Sequence, residues 1–379
     1  MLAHEPPLPA LGGGALRVLH QSRQLALHLG DEVTVLALGP TPDAPDEPFV
    51  LEGVAHHPQR LRVLATAMRS PYLEVWSSSA ELRARVTSGG WDLVVVTSPF
   101  VVGQALAAGA PVVLDAANVE SEVAASLAAS EASRLGRGRW AWEAKKIARL
   151  ERSISPRLAA VTAPSRHDAG VYRRLGAPSA DVSPNGVDLA GWPWHAPAEG
   201  ARIGYVGQYG YRPNEAAALE LVDDVMPLVA AGRPDVEVAL IGRAPTAAMR
   251  RRAGGAVQVT GAVDDLHAHV RALRVLVVPL RAGGGTRLKL LEAMAAGVPV
   301  VSTPLGAAGL EVVDGTHLLL AEEPDELAAA AERVLADDDL AMALSRSGRE
   351  LVEERYDWAV TARPLVDRCR VLLGREAPA

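Results

Sequence analysis

The chain contains 379 residues, of which 49% are hydrophobic and 22% are charged, and its formal net charge is −7. This length predicts two domains or three small ones, and the apolar fraction excludes a disordered chain. The acidic balance argues against a nucleic-acid partner, and the single cysteine, Cys369, excludes a disulfide framework or a cysteine-built metal site. With no signal peptide apparent in the opening residues, we expect a cytoplasmic protein.

The first half of the chain alternates short apolar strands with helical stretches. Its opening strand must be very short, because Pro6 and Pro7 cannot continue it, and a helix over Ala15–Leu29 follows. Apolar strands that alternate with helices are typical of a parallel sheet covered on both faces. The clearest later strands are Glu32–Leu38, Asp92–Thr97, Val112–Asp115 and Leu158–Thr162.

The second half repeats the alternation more regularly. Helical stretches such as Asn214–Ala231, Asp264–Leu273 and Thr286–Ala296 separate its strands, and Asp325–Leu373 is helical throughout. Six such strands with intervening helices predict one doubly wound domain. The predicted strands are Arg202–Val206, Val236–Ile241, Ala256–Thr260, Val275–Pro279, Val298–Ser302 and His317–Ala321.

The pattern predicts four segments. Residues 1–184 form an N-terminal Rossmann-like domain, residues 202–355 form a second one, and the Gly- and Pro-rich segment 185–201 links them. Residues 356–379 form a helix that packs back toward the first domain. The predicted fold class is therefore α/β, with two doubly wound parallel-sheet domains that face a ligand-binding cleft and a helical C-terminal tail.

The strongest chemical signal is a glycine-rich turn between the strand that ends at Pro279 and the next helix, which begins near Thr286. Glycines let the backbone approach a ligand closely, and the unpaired N–H groups of a helix start attract anions. A turn of this kind matches neither the dinucleotide fingerprint nor the P-loop spacing. Its glycines are Gly283, Gly284 and Gly285.

Charges in the first turns of that helix strengthen the prediction of an anion site. Arg287 and Lys289 place positive charge where it opposes the helix dipole, which a bound phosphate would explain. Glu292 lies three residues after Lys289 on the same face and could accept hydrogen bonds from two ribose hydroxyls. An exposed ion pair between Lys289 and Glu292 is the alternative; the glycine-rich entry favours phosphate binding.

Other strand ends offer further candidate contacts. Gly13 and Gly14 open the first helix, where a plain turn and an anion-binding turn are equally good interpretations. In the second domain, Arg243 follows a strand end and is a candidate phosphate or substrate contact. The backbone of Gly261 and Val263 could bind a base edge, or it could form an ordinary loop.

No metal site or covalent nucleophile is predicted. His267 and His269 are two residues apart on a helix and do not share a face, and no Asp-x-Asp pair follows a buried strand. A different signal is the segment Arg134–Arg157, which carries eight basic residues against two acidic ones and includes Trp140 and Trp142. It is either a peripheral contact for an anionic membrane or, as we favour, a solvated arginine face with buried tryptophans.

The sequence resembles family 4 glycosyltransferases of the GT-B fold, and its closest resemblance is to bacterial sugar transferases from exopolysaccharide-type clusters. The resemblance covers nearly the whole chain. It rests on Gly12-Gly-Gly, Asn118-Val-Glu-Ser, Val182-Ser-Pro-Asn-Gly-Val-Asp, Tyr205-Val-Gly, Tyr211-Arg-Pro-Asn, Gly283-Gly-Gly-Thr-Arg-Leu-Lys-Leu-Leu-Glu-Ala-Met and Glu353–Trp358.

The resemblance implies a retaining, metal-independent hexosyltransferase that needs no cofactor. The donor would be a nucleotide-diphosphate sugar, UDP- or GDP-linked, bound by the second domain. The first domain would bind the hydroxyl acceptor, which is a glycan, a lipid-linked sugar or a small molecule. Such a protein would be cytoplasmic, or peripheral at the inner face of the membrane.

Some of the family's site residues have counterparts in this sequence, and others are replaced. Glu292 matches the second glutamate of the family's pair, but Gly284 replaces the first, so the backbone of Gly283–Thr286 would contact the donor sugar. Arg287 and Lys289, with Arg212 as a further candidate, replace the cations that usually follow the first strand of the second domain. Arg287 and Lys289 would stabilise the negative charge that develops on the leaving diphosphate.

On the acceptor side, Ala117 replaces an expected histidine, leaving Asn118 and Glu120 as nearby polar groups. The missing histidine and glutamate motivate an alternative: a catalytically weak or inactive subunit that supports a partner transferase. A nucleotide-sugar 2-epimerase is a third possibility, but it requires cleft carboxylates and histidines that the sequence does not reveal.

Overall fold

The computed structural model describes residues 1–8, 12–30, 32–40, 46–55, 66, 68–131, 133–283 and 288–375. The chain divides into two compact units, Met1–Asn185 together with Trp358–Ala379, and Gly186–Asp357. Within the described residues, no helix is both long and apolar enough to span a bilayer.

In the described part of the first unit, seven parallel strands form one sheet in the order β3-β2-β1-β4-β5-β6-β7. The strand order reverses between β1 and β4, which makes the carboxyl ends of these two strands the expected ligand edge. The strands are β1 Leu2–Ala3, β2 Thr34–Leu38, β3 Val50–Val54, β4 Val94–Val96, β5 Val112–Asp115, β6 Ala160–Ala163 and β7 Ala180–Val182.

Helices cover both faces of this sheet, and several begin at serine caps whose side chains accept a backbone N–H, such as Ser79, Ser133 and Ser165. Short 3₁₀ turns lie at Pro99–Val101, Leu106–Ala108 and Ser155–Arg157. The helices are α1 Gly13–Leu29, α2 Tyr72–Trp76, α3 Ala80–Ser88, α4 Val102–Ala105, α5 Glu120–Ser130, α6 Arg134–Ile154 and α7 Arg166–Arg174.

The second unit contains six parallel strands among its described residues, in the order β10-β9-β8-β11-β12-β13. This order is the Rossmann arrangement, with its reversal between β8 and β11. The strands are β8 Arg202–Val206, β9 Glu237–Ile241, β10 Val257–Gly261, β11 Val275–Val278, β12 Val300–Ser302 and β13 Leu319–Leu320.

The helices of the second unit surround an apolar core in which β8, β9 and β11 are almost fully buried. A π-helical turn, Leu221–Val225, joins α8 to α9. The helices are α8 Arg212–Glu220, α9 Met226–Gly232, α10 Ala247–Arg250, α11 Leu266–Arg271, α12 Leu288–Ala296, α13 Pro324–Ala336 and α14 Asp338–Arg355.

The C-terminal helices α15 Trp358–Thr361 and α16 Arg363–Leu372 pack in the first unit. Trp358 stacks on His20 of α1 with ring centroids 5.0 Å apart, and Arg368 pairs with Asp181 at 2.7 Å. Cys369 is fully buried there. The tail therefore completes the first unit's core.

The segment 185–201, predicted as a linker, instead packs mostly against the second unit. Val187 is buried in that unit's core, and the Val187 N–H donates to the Tyr356 carbonyl at 2.8 Å. Trp192 packs on the same core, and the His195 N–H donates to the Ala296 carbonyl. Apolar side chains interspersed among the glycines and prolines bury surface there.

The predicted α/β class with two doubly wound parallel sheets is confirmed, with differences at individual strands. The strands Val50–Val54 and Ala180–Val182 were not predicted, because both lie at the edges of the sheet and are only partly buried, so they lack the continuous apolar run of a central strand. The predicted strand His317–Ala321 shrinks to Leu319–Leu320. Strand length at sheet edges depends on neighbours that local patterns do not specify.

Candidate functional site

The candidate site of the second unit lies where its strand order reverses. β8 and β11 are neighbours in the sheet, and the segments that follow them leave from the same carboxyl edge. After β8 the chain runs through Gly207 to α8, and after β11 it runs from Pro279 to α12. Lys289 is the second residue of α12, so the fold brings it to the end of β8.

The Lys289 ammonium contacts two side chains at this edge, Tyr205 and Asn214. It donates to the Tyr205 hydroxyl at 2.7 Å and to the Asn214 side-chain oxygen at 2.9 Å. It also lies 4.0 Å from the centroid of the Tyr205 ring, a cation–π distance. Tyr205 and Asn214 were not predicted as site residues; their sole sequence signal is that both occur in motifs shared with the resembling family.

Glu292 lies one turn further along α12 and is partly buried, and its carboxyl differs from the Lys289 ammonium in its hydrogen bonding. Burial raises the pKa of its carboxyl from the ordinary 4.5 to about 7, and the positive charge of Lys289 opposes part of this rise. Among the described residues, no group donates a hydrogen bond to the carboxyl. Because a buried acceptor without donors is costly, this carboxyl is suited to receive hydroxyl groups of a ligand.

The loops that follow β8 and β9 contact each other through their backbones. The Tyr209 N–H donates to the Arg243 carbonyl at 2.9 Å, and Gly242 adopts a φ of +139° against the Gly207 carbonyl. Ala244 has a positive φ of 53°, a conformation that non-glycine residues rarely adopt. Such backbone strain occurs preferentially at binding sites.

Arg243 is partly buried, and within the described ranges its guanidinium has no hydrogen-bond or ion-pair partner. A partly buried unpaired cation suits an anionic ligand. Gly261, with a φ of +74°, ends β10 after a bulge, and the neighbouring Thr260 hydroxyl accepts from the Gly242 N–H. Val263 packs on the core, so its side chain is structural and only its backbone remains a candidate contact.

Part of the predicted site lies outside the described residues, namely Gly284, Gly285, Thr286 and Arg287. Gly283 is described and has a φ of +107°, which only glycine adopts readily. The structure brings Lys289 to Tyr205 and Asn214 at the carboxyl end of β8, while the prediction for Arg287 stays a prediction. Arg212 is exposed at the start of α8.

In the first unit, Gly13 begins α1 behind the N-cap Gly12, and no side chain caps the helix. The Glu5 carboxylate lies near Gly14, since a Cβ built there would be 3.2 Å from Glu5 Oε1. A carboxylate near the first turn favours the plain-turn interpretation, because it already interacts well with the helix dipole.

A buried ion pair that the sequence analysis missed organises the carboxyl edge of the first sheet. Arg17 on α1 is almost fully buried and donates through Nε to Asp115 Oδ2 at 3.0 Å and through Nη1 to the Asn185 side chain at 2.9 Å. The Thr162 hydroxyl also donates to Asp115, at 2.7 Å. The available signal was the position of Arg17 among the residues of α1 that face the core, such as Val18 and Leu25.

The predicted acceptor-side residues Asn118 and Glu120 lie together near this edge. Burial and the neighbouring Glu151 carboxyl raise the pKa of Glu120 to about 7, against a hydrogen bond from Asn118. Ser121 donates to the fully buried Glu151 through both its backbone N–H and its hydroxyl. Glu120 is thus a carboxyl whose charge is easily removed near neutral pH.

Glu122, His167 and Asp168 each bring one possible metal-ligand atom within 4.8 Å of the others. Glu122 and His167 are exposed, and their side chains already pair with each other at 2.8 Å. An exposed pair of this kind needs no ion, so the geometry does not require a metal here. The absence of a metal remains a prediction.

The basic stretch forms α6, whose two tryptophans differ. Trp140 packs against Phe100 and Ile147, whereas Trp142 is 36% exposed and Leu135 is 90% exposed. We call the exposed cations of α6 the basic face. Its members are Arg134, Arg137, Arg139, Lys145, Arg149 and Arg152.

Two units with Rossmann-type sheets in one chain, each with candidate groups at the carboxyl edge, are the architecture of the GT-B fold. Sucrose-phosphate synthase from Thermosynechococcus elongatus has the same fold: the TM-score is 0.75 at 22% identity, and 98% of each chain is covered. Residues 11–190 match the family model Glycosyltransferase Family 4, and residues 200–337 match Glycosyl transferases group 1. The chain belongs to glycosyltransferase family 4.

Two relatives illustrate the similarity at the sequence level. Phosphatidyl-myo-inositol mannosyltransferase from Mycolicibacterium smegmatis is 32% identical over 200 residues, which cover 50% of each protein. GDP-mannose-dependent alpha-(1-6)-phosphatidylinositol monomannoside mannosyltransferase from Mycobacterium tuberculosis is 36% identical over 131 residues, which cover 30% of this chain and 32% of that protein. The chain spans about half the length of the first relative, and a third of the second.

Proposed function

We propose that the protein is a retaining glycosyltransferase that moves a hexose-type sugar from a nucleotide-diphosphate sugar to a hydroxyl acceptor without a metal ion. The observation that carries the proposal is the placement of Lys289 and Glu292. An ammonium and a carboxyl that accepts no hydrogen bond from any described residue lie one turn apart at the reversal point of a Rossmann-type sheet. Diphosphate and ribose are the ligand groups that match this pair.

The chemistry requires charge stabilisation. As the bond between the sugar C1 and the phosphate oxygen breaks, negative charge grows on the leaving diphosphate, and Lys289 stabilises it together with Arg287 and Arg243. The acceptor oxygen bonds to C1 on the same face, and its proton passes to the leaving phosphate oxygen. This sequence retains the anomeric configuration without a protein nucleophile.

The relatives suggest which substrates to test first. One is named as GDP-mannose-dependent, and both are named for phosphatidylinositol-type acceptors. GDP-mannose is therefore the first donor to test and UDP-glucose the second, with a lipid-linked or other hydroxyl acceptor. The acceptor would bind near Asn118 and Glu120 in the first unit.

A peripheral membrane contact fits a lipid-linked acceptor. The basic face of α6 supports this part of the proposal, since exposed cations beside the exposed Trp142 and Leu135 suit an anionic bilayer surface. We propose a cytoplasmic protein that binds the inner face of the membrane through this face. Co-sedimentation with vesicles that contain anionic lipid should occur at low salt and vanish at high salt, and salt-insensitive or absent binding would refute it.

Release of nucleoside diphosphate from GDP-mannose or UDP-glucose, measured with and without EDTA, tests the activity. Lys289→Ala should lower the rate about 10²–10³-fold, the magnitude for one preorganised donor. Arg346→Ala removes an exposed cation of the same unit and is the control. Near-normal turnover of Lys289→Ala would contradict the assignment, and loss of activity with EDTA would contradict metal independence.

The alternative, an inactive subunit that supports a partner transferase, is favoured by Ala117 and Gly284, which replace the family's histidine and first glutamate. Nucleotide binding without release of nucleoside diphosphate from either donor would support that alternative. Proton NMR of the product's anomeric signal distinguishes retention from inversion.

A further inference from the structure

We infer that Tyr205 and Asn214 are positioning residues that hold the Lys289 ammonium in place for the donor diphosphate. The inference rests on the proposed function, because it concerns how the same site recognises phosphate. The family pattern did not assign a role to either side chain. We assign a positioning role to both side chains from the contacts that join β8, α8 and α12 at the carboxyl edge.

The three side chains are joined to one another by hydrogen bonds. The Tyr205 hydroxyl donates to the Asn214 side-chain oxygen at 2.8 Å and accepts from the Lys289 ammonium at 2.7 Å. The same Asn214 oxygen accepts from Lys289 at 2.9 Å. Each pair is within ordinary hydrogen-bond distance, so the ammonium is held at two points.

The orientation of Asn214 is set by the backbone. The side-chain nitrogen Nδ2 of Asn214 donates to the Gln208 carbonyl at 3.1 Å. This bond directs the side-chain oxygen of Asn214 toward Tyr205 and Lys289. Tyr205 is fully buried in a strand, so its ring cannot move aside. Two fixed partners therefore reduce the number of conformations that the long Lys289 side chain can adopt.

The chemical nature of these partners matters as much as their position. A hydroxyl and an amide are neutral, and so is the Tyr205 ring under the ammonium at 4.0 Å. They orient the lysine without cancelling its charge, whereas a carboxylate in either place would compete with phosphate. A preorganised cation binds phosphate at lower entropic cost than a mobile one.

A double-mutant cycle on full-length protein tests the inference, with GDP and UDP as probes in isothermal titration calorimetry. Tyr205→Phe should weaken binding of the better nucleotide about tenfold, the effect of one hydrogen bond to a charged group. In a Lys289→Ala background the same change should have no effect. Asn214→Ala, at a partly exposed position, should also weaken nucleotide binding in the wild-type background and have no effect in the Lys289→Ala background. It replaces Tyr205→Phe in the cycle if that variant fails to fold.

Tyr209→Phe is the matched control. It removes a buried hydroxyl four residues away, which bonds only backbone carbonyls of Tyr205 and Ile241 among the described residues. Its effect on binding should be the same with or without Lys289. Guanosine and uridine, which lack phosphates, should bind wild type and variants equally.

Equal effects of Tyr205→Phe and Asn214→Ala in both backgrounds would overturn the inference and leave the proposed function standing. Loss of nucleoside binding along with diphosphate binding would also overturn it, because the variants would then act on the whole site. Failure of wild-type protein to bind either GDP or UDP would overturn the proposed function and the inference together.

Discussion

Replacing Glu292 by glutamine should stabilise the ligand-free protein and greatly reduce its stabilisation by nucleotide. Glutamine keeps the size of the side chain and removes its charge. Burial raises the pKa of this carboxyl from 4.5 to about 7, so above pH 7 the folded protein must hold a charge that its environment disfavours. A neutral side chain avoids that cost.

The magnitude follows from the pKa difference between the unfolded and folded states. One pKa unit corresponds to about 1.4 kcal/mol, so ionised Glu292 lowers the unfolding free energy by at most about 3 kcal/mol at pH 8. The folded state holds the proton more tightly. The stability contribution is therefore complete below pH 4.5 and is lost as the pH rises through about 7. At pH 5 the difference between wild type and variant should fall below about 1 kcal/mol.

Urea denaturation of both proteins at pH 8 and pH 5 measures this effect. With a slope of about 2 kcal/mol per M, the pH 8 midpoint of Glu292→Gln should lie up to about 1.5 M above that of wild type. Glu350→Gln, an exposed carboxyl on α14, is the control and should show no shift. Glu120 titrates in a similar range, but both proteins contain it, so its contribution cancels.

Nucleotide should close most of the stability difference between the two proteins at pH 8. GDP or UDP at 100 times its Kd should add about 2.7 kcal/mol to wild type and much less to Glu292→Gln, which loses the ionised acceptor for the ribose hydroxyls. In wild type this added stability should shrink as the pH falls below 7, because the carboxyl becomes protonated. Equal denaturation midpoints at pH 8, or equal stabilisation by nucleotide, would refute the reasoning about Glu292.

Three further predictions concern the two units separately. Gly242→Ala should lower the unfolding free energy by about 2 kcal/mol or more, seen as a lower thermal midpoint, because its φ is +139° and a Cβ would lie 1.9 Å from the Gly207 carbonyl oxygen. Arg17→Met should cost about 3–5 kcal/mol in urea denaturation by leaving Asp115 buried without its cation, and a second change, Asp115→Leu, should recover part of the loss. Cys369 is buried, and its pKa is raised to about 12, so a thiol reagent should label it only after denaturation; rapid labelling of folded protein would contradict its packing.

Local patterns were sufficient for the architecture. The alternation of apolar strands and helices specified two parallel sheets, and the strand Arg202–Val206 has the predicted bounds. Strand and helix periods are properties of neighbouring residues, so they can be recognised without knowledge of the chain's path. The pairing of Lys289 with Glu292 on one helical face is likewise a matter of spacing along one helix.

Contacts between distant residues required the tertiary structure. Tyr205 is 84 residues from Lys289, and Asn214 is 75 residues from it, yet the crossover from β8 to β11 brings all three together. Arg17 and Asn185 are 168 residues apart. No local period encodes such a pair, because it depends on how the sheet orders its strands.

By itself, the sequence determined the α/β class, the two doubly wound sheets and the helix that carries Lys289 and Glu292, since each is a local pattern of apolarity or spacing. Only the tertiary structure decided the surroundings of these groups: the neutral partners of Lys289, the burial that raises the pKa of Glu292, and the packing of 185–201 against the second unit. Burial and electrostatic environment are sums over neighbours that are distant in sequence. For this reason the same acidic chain can carry an exposed basic helix and a carboxyl that is neutral below pH 7.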